Sequence, residues 1–156
     1  MTRRHLLACV VLIAIFAAGC GVRPSGVIRG GSAPTGQAEG ATLYFLANSS
    51  LTPVLRPTRQ PLWPTQTLEL LQTGPNSDER AANLTSEVPT GLDPVTVTTD
   101  PSGTVDVVLS ADVTTLSTAA VDQIVCTVRD ALGTTAPITL TSDAATRGPQ
   151  LCPLTG

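Results

Sequence analysis

The chain has 156 residues, with nine basic side chains against twelve acidic ones and a formal charge of −3. Every base is an Arg, Lys is absent and the one His is His5, so there is no basic face to neutralise phosphates and a nucleic-acid partner is excluded. Hydrophobic residues at 42% and charged ones at 13% support one folded domain rather than a chain disordered by its charge.

At the start, Arg3 and Arg4 precede an unbroken apolar run from Leu6 to Phe16, and Ala17-Ala18-Gly19 stands directly before Cys20. A positive head, a short apolar stretch and a small-residue exit read as a secretory signal over residues 1–19, too short for a dedicated membrane span. The segment resembles the lipobox of bacterial lipoproteins, with Ala17 where Leu is the usual residue. That resemblance implies a diacylglycerol thioether on Cys20, the first mature residue, and hence an anchor on the extracytoplasmic face of the cell membrane. Two acyl chains hold a protein there, each buried CH₂ adding about 0.8 kcal/mol. The matured chain would retain neither His nor Lys.

Residues 20–41 then read as the lipidated Cys and a tether. Gly21 to Ala41 holds six Gly, two Pro and two Ser without hydrophobic periodicity, a composition spanning roughly 25 Å root-mean-square. The globular domain is expected over residues 42–145. Leu43 to Leu46 reads as a buried strand, and Leu51 to Arg56 as its short partner, confined to an edge by Pro53 and Pro57. Pro64 to Thr73 reads as a helix that opens on a proline and stops at Gly74-Pro75. A short turn follows over Ser77 to Ala82, with Asp78 and Glu79 at its positive end. Val95 to Thr99 and Val105 to Leu109 alternate as strands around Asp100-Pro101-Ser102-Gly103, the residue order of a type I turn. Ser117 to Leu132 is a helix with Val121, Ile124, Val125, Val128 and Leu132 on one stripe, capped by Ser117 and ended by Gly133. Pro137 to Thr141 closes as a strand. The order β-α-β-β-α-β predicts an α+β fold: a single two-layer domain with its helices on one face of a mostly antiparallel sheet.

This order and several of its segments resemble the GerMN domain of spore-germination and sporulation lipoproteins and of LpqB-type actinobacterial lipoproteins. The residues that carry the likeness are Tyr44-Phe45-Leu46, LELLQTGP at Leu68 to Pro75, and Glu79 with Leu84 to Pro89. The strand Val105 to Ser110 and Gln123-Ile124-Val125 complete the set. Asn83 stands where the family commonly has Gly, and Asn is the next-best residue for a left-handed conformation. The resemblance implies an envelope-anchored interaction module and brings no catalytic residues with it.

With Cys9 removed and Cys20 lipidated, Cys126 and Cys152 remain, and an even pair outside the cytoplasm predicts a Cys126–Cys152 disulfide. At 100° per residue Cys126 lies about 140° from Val121, so it is expected on the outer face of its helix, clipping an irregular tail over residues 146–156. Without His or Lys the usual nucleophilic triads and a Cys/His zinc site are out of reach, and neither metal nor cofactor is expected. Only carboxylate chemistry is left, from Asp100, Asp106, Asp112, Glu79 and Glu87. Each of these also has a plain structural reading in a turn, strand or helix start.

Trp63 is the candidate partner contact, with packing at the helix start as its alternative, while Tyr44 and Phe45 are expected in the core. The sequence therefore favours a non-enzymatic envelope module that contacts another envelope protein. A peptidoglycan-directed carbohydrate binder or carboxylate-dependent hydrolase is the rival, and a small-solute-binding lipoprotein comes third.

Overall fold

The computed structural model describes residues 40–93 and 95–154; the signal, Cys20 and residues 21–39 lie outside them. The fold is α+β. Its elements are β1 (Gly40–Ala47), β2 (Ser50–Pro57), α1 (Pro64–Gln72), α2 (Ser77–Ala81), β3 (Leu84–Thr85), β4 (Thr96–Thr99), β5 (Val105–Val108), α3 (Thr118–Leu132), β6 (Ile138–Thr141) and β7 (Thr146–Gln150). A single turn of 3-10 helix over Val113–Thr115 precedes α3. The strands divide into two sheets, ordered β2-β1-β3 and β4-β5-β6-β7, where the sequence pattern had suggested one.

β1 and β2 form a hairpin through Asn48 and Ser49, both at positive φ, the geometry whose twist suits a two-residue connection. β1 begins at Gly40, two residues before the expected domain start. A Cβ at Gly40 would fall 2.5 Å from the Arg56 carbonyl oxygen, so only glycine fits there. Tyr44 lies opposite Pro53 and Gly40 opposite Pro57. The Tyr44 N–H and C=O turn away from β2 towards α3, which makes these non-hydrogen-bonded pairs. The N–H groups that the two prolines lack would therefore have faced the open edge, where their loss costs no ladder bond.

The second sheet pairs β4 with β5 antiparallel, β5 with β6 parallel across the α3 crossover, and β6 with β7 antiparallel. α3 is capped by the Ser117 Oγ, which accepts from the Ala120 N–H at 3.0 Å, and ends at Gly133 in the left-handed region (φ 60). Its expected stripe packs into a shared core with Leu43, Phe45, Leu68, Leu71, Val107 and Leu140.

One expectation about the C-terminal part is corrected and another is made more definite. Residues 146–150 are not irregular but form β7, because Thr146, Arg147 and Gln150 find partners along β6. Cys126 is fully buried, because the C-terminal segment expected across that face of α3 does cover it. The disulfide to Cys152 holds it there, with Cα atoms 4.8 Å apart, and Arg129 Nη1 donates to the Leu154 carbonyl at 2.5 Å. The bridge closes a separation of 26 residues, worth about 3 kcal/mol in the chain-entropy account. The Cys126→Ala/Cys152→Ala double variant is expected to lose roughly that amount in urea unfolding, with the β7 amides exchanging faster than those of β1.

Candidate functional site

Each of the five carboxylates that the sequence offers for acid–base chemistry is engaged locally. Asp100 accepts from the Ser102 N–H and Oγ and from the Thr104 N–H at 2.6–2.9 Å; the Ser102 hydroxyl first, then the Thr104 amide, hold its carboxyl below the usual range. Asp112 caps the 3-10 turn through the Thr114 N–H and hydroxyl, at 2.9 and 2.7 Å, and is lowered by the same groups. Asp106 accepts from the Thr141 hydroxyl at 2.8 Å and Glu87 from the Ser117 hydroxyl at 2.5 Å.

Glu79 is buried in an ion pair. Arg56 Nε and Nη2 donate to its two oxygens at 3.0 and 2.6 Å, a bidentate fork, and Arg56 Nη2 also donates to the Gly74 carbonyl at 2.7 Å. The guanidinium lies 5.4 Å from the centre of the Phe45 ring. Glu79 in turn accepts from the Asn76 N–H at 2.7 Å, while the Asn76 side chain accepts from the Asp78 and Glu79 amides. That reciprocal cap sets the α2 start and delivers the carboxylate to β2. Asn83, just after α2, adopts the left-handed conformation its sequence position suggested (φ 61).

Trp63 is different. Its backbone is fixed: the N–H donates to Gln66 Oε1 at 3.0 Å, the carbonyl accepts from the Thr67 N–H at 2.9 Å, and Pro64 fixes the first helical φ. The residue, however, is 76% exposed, so its ring is not packed at the helix start, whereas Phe45 and Tyr44 are buried as expected. A large apolar ring held out on a rigid backbone loses little freedom on contact, the property of an anchor residue. It walls an open apolar hollow of about 430 Å³ with Leu62, Pro61, Pro64, Ala131 and Leu132. A smaller recess of about 180 Å³ shares Pro61, Leu62 and Ala131 with it and is also lined by Thr42, Thr67 and Asp130.

Of these, Asp130 is held by its neighbours: the Tyr44 hydroxyl donates to Asp130 Oδ2 at 2.9 Å, and Arg129 Nη2 donates to Asp130 Oδ1 at 3.0 Å and to the Tyr44 oxygen at 3.2 Å. Burial, then the bond to Asp130, push the Tyr44 hydroxyl above its ordinary range, so it stays a donor. The recess thus combines a fixed carboxylate with an apolar wall.

Asp130 and the Leu62–Leu132 wall were missed from sequence. They lie on elements far apart in the chain, and no local pattern joins them; the one available signal was Trp63 between two prolines. Among the described residues, no three His, Cys, Asp or Glu side chains gather as metal ligands would.

A family model described as "Germane: Sporulation and spore germination" matches residues 42–146. No curated protein and no solved structure gives a significant match.

Proposed function

The chain belongs to the Germane family of sporulation and spore germination, and from that premise we propose that it is a lipid-anchored, non-enzymatic interaction module on the extracytoplasmic face of a bacterial cell membrane. The observation that carries this reading is Trp63, an exposed aromatic on a rigid backbone above an apolar hollow. Buried anchors of this kind supply most of the energy of a protein–protein contact. The engagement of Asp100, Asp106, Asp112, Glu79 and Glu87 in caps, turns and an ion pair supports a structural role for these five side chains. The lipobox and the Cys126–Cys152 bridge support an oxidising location outside the cytoplasm. The partner is another envelope protein, within reach of a tether rooted at Cys20.

Trp63→Ala is expected to leave stability within about 0.5 kcal/mol of the parent, as an exposed position should. A photo-crosslinking residue at position 63, in intact cells, is expected to yield a discrete protein adduct that the same residue at Ser102 does not. Cys20→Ala should abolish palmitate incorporation and shift the chain from the membrane fraction. Equal adducts from both positions would remove the Trp63 surface from the account. Release of soluble fragments from purified peptidoglycan would replace the reading with the hydrolase.

A further inference from the structure

Two sheets have four lateral edges, and exposed edges invite pairing unless something blocks them. Three are blocked or vestigial. β2 carries Pro53 and Pro57 at positions whose backbone faces outward, β7 contains Pro149, and β3 is two residues long. The fourth, β4, reads Thr96-Val97-Thr98-Thr99, with neither proline nor charge.

The direction of its backbone follows from its neighbours. The Asp100 N–H donates to the Thr104 carbonyl at 3.0 Å, and on the far side of β5 the Leu109 N–H donates to Thr141 at 2.8 Å. Alternation from these two bonds makes Thr96·Val108 and Thr98·Asp106 the hydrogen-bonded pairs. Val97 and Thr99 therefore turn their N–H and C=O groups to the open edge, and among the described residues no partner meets them.

Charge decides what fits. Asp93 and Asp100 bracket the strand, and residues 40–154 carry five Arg against eleven Asp and Glu. A second copy would set an edge flanked by the same aspartates, on a chain of the same net sign, against its own kind, which like charges oppose. We infer that β4 is a strand-addition site for an extended segment of another protein, with alternating side chains and a basic residue at each end. Main-chain bonds to Val97 and Thr99 supply the pairing and the flanking aspartates supply the selection. The edge is formed by elements other than those around Trp63.

The test uses the ¹⁵N-labelled full chain and two heptapeptides, Lys-Thr-Val-Thr-Val-Thr-Lys and the same core with Glu at both ends. The Lys peptide is expected to slow exchange of the Val97 and Thr99 amides at least tenfold and to bind at least tenfold tighter than the Glu peptide. Thr99→Pro, which removes only an outward N–H, should abolish the protection at Val97 with the rest of the amide spectrum unchanged. Asp93→Asn with Asp100→Asn, where the amide oxygens can still accept from Gln72 Nε2 and from Ser102 and Thr104, should cut the Lys-over-Glu preference at least threefold. The proposal fails if neither peptide protects those amides or if both bind equally. It fails also if Val97 and Thr99 become protected in the peptide-free chain as its concentration rises, which would make the partner a second copy.

Discussion

Replacing Gln123 with Leu is expected to destabilise the domain by about 4 kcal/mol in chemical denaturation, although Leu is of similar volume and α3 gains an apolar residue. Gln123 is fully buried, and its amide ties three segments together. Its Nε2 donates to the Tyr44 carbonyl at 2.8 Å and to the Ser86 hydroxyl at 3.2 Å, while its Oε1 accepts from the Glu87 N–H at 2.9 Å. Leu cannot replace these bonds, and a buried group left unpaired costs about 1–3 kcal/mol. The Tyr44 carbonyl and the Glu87 N–H are both orphaned, which sets the magnitude. Thr127, also fully buried, accepts from the Tyr44 N–H at 3.2 Å, so the two α3 side chains close the β1 edge that β3 leaves unpaired. Gln123→Glu separates hydrogen bonding from shape, because it keeps the acceptor and loses the donor. A loss as large as that of Leu, relieved at acid pH, would match the assigned roles. A loss below about 1 kcal/mol for Gln123→Leu would show that the edge is closed by something else.

Arg56→Met should also cost about 4 kcal/mol near neutral pH, within the range for breaking one side of a buried ion pair. The side chains of Arg56 and Glu79 are 13% and 9% exposed, so the carboxylate left behind has little solvent to turn to. The pH dependence identifies the cause. Glu79 is held below its ordinary value of 4.5, first by the hydrogen-bonded Arg56 side chain and against the opposing effect of burial. A carboxyl depressed on folding contributes stability that is present above its unfolded value and lost as pH falls through its lower, folded one. The parent should therefore lose stability on acidification below about pH 4.5, and the gap between parent and Arg56→Met should narrow over the same range. A gap that stayed constant between pH 7 and pH 3 would place the loss in packing against Phe45 rather than in the charge pair.

Much of the fold was legible because its signals are local. The i, i+3, i+4 stripe of α3, the proline before α1 and the Asp-Pro-Ser-Gly turn between β4 and β5 each act over a few residues, and the structure returns them within a residue or two. Asn83 was readable through the family resemblance, which puts Gly there, and left-handed backbone narrows the choice of side chain to residues such as Gly and Asn. Helical projection at Cys126 left its burial open. An angle about a helix axis says which residues share a face, but not how many faces are covered, and α3 is covered by the core, by β1 and by the returning C-terminal segment. β7 was illegible because Gly148 and Pro149 disguise a strand whose pairing comes wholly from β6.

The sequence by itself determined the family, the α+β class, the disulfide partners and the shortage of catalytic side-chain types, because these depend on residue identity and short-range order. Tertiary structure alone decided that the strands split into two sheets, that Gln123 and Thr127 close an edge, and that Arg56 meets Glu79 under Phe45. It also decided that Trp63 stands exposed while Tyr44 and Phe45 do not. Each of these depends on what lies across a gap of twenty to eighty residues in the chain. Burial and pairing at that separation are settled by how the elements pack together, and no local pattern encodes them.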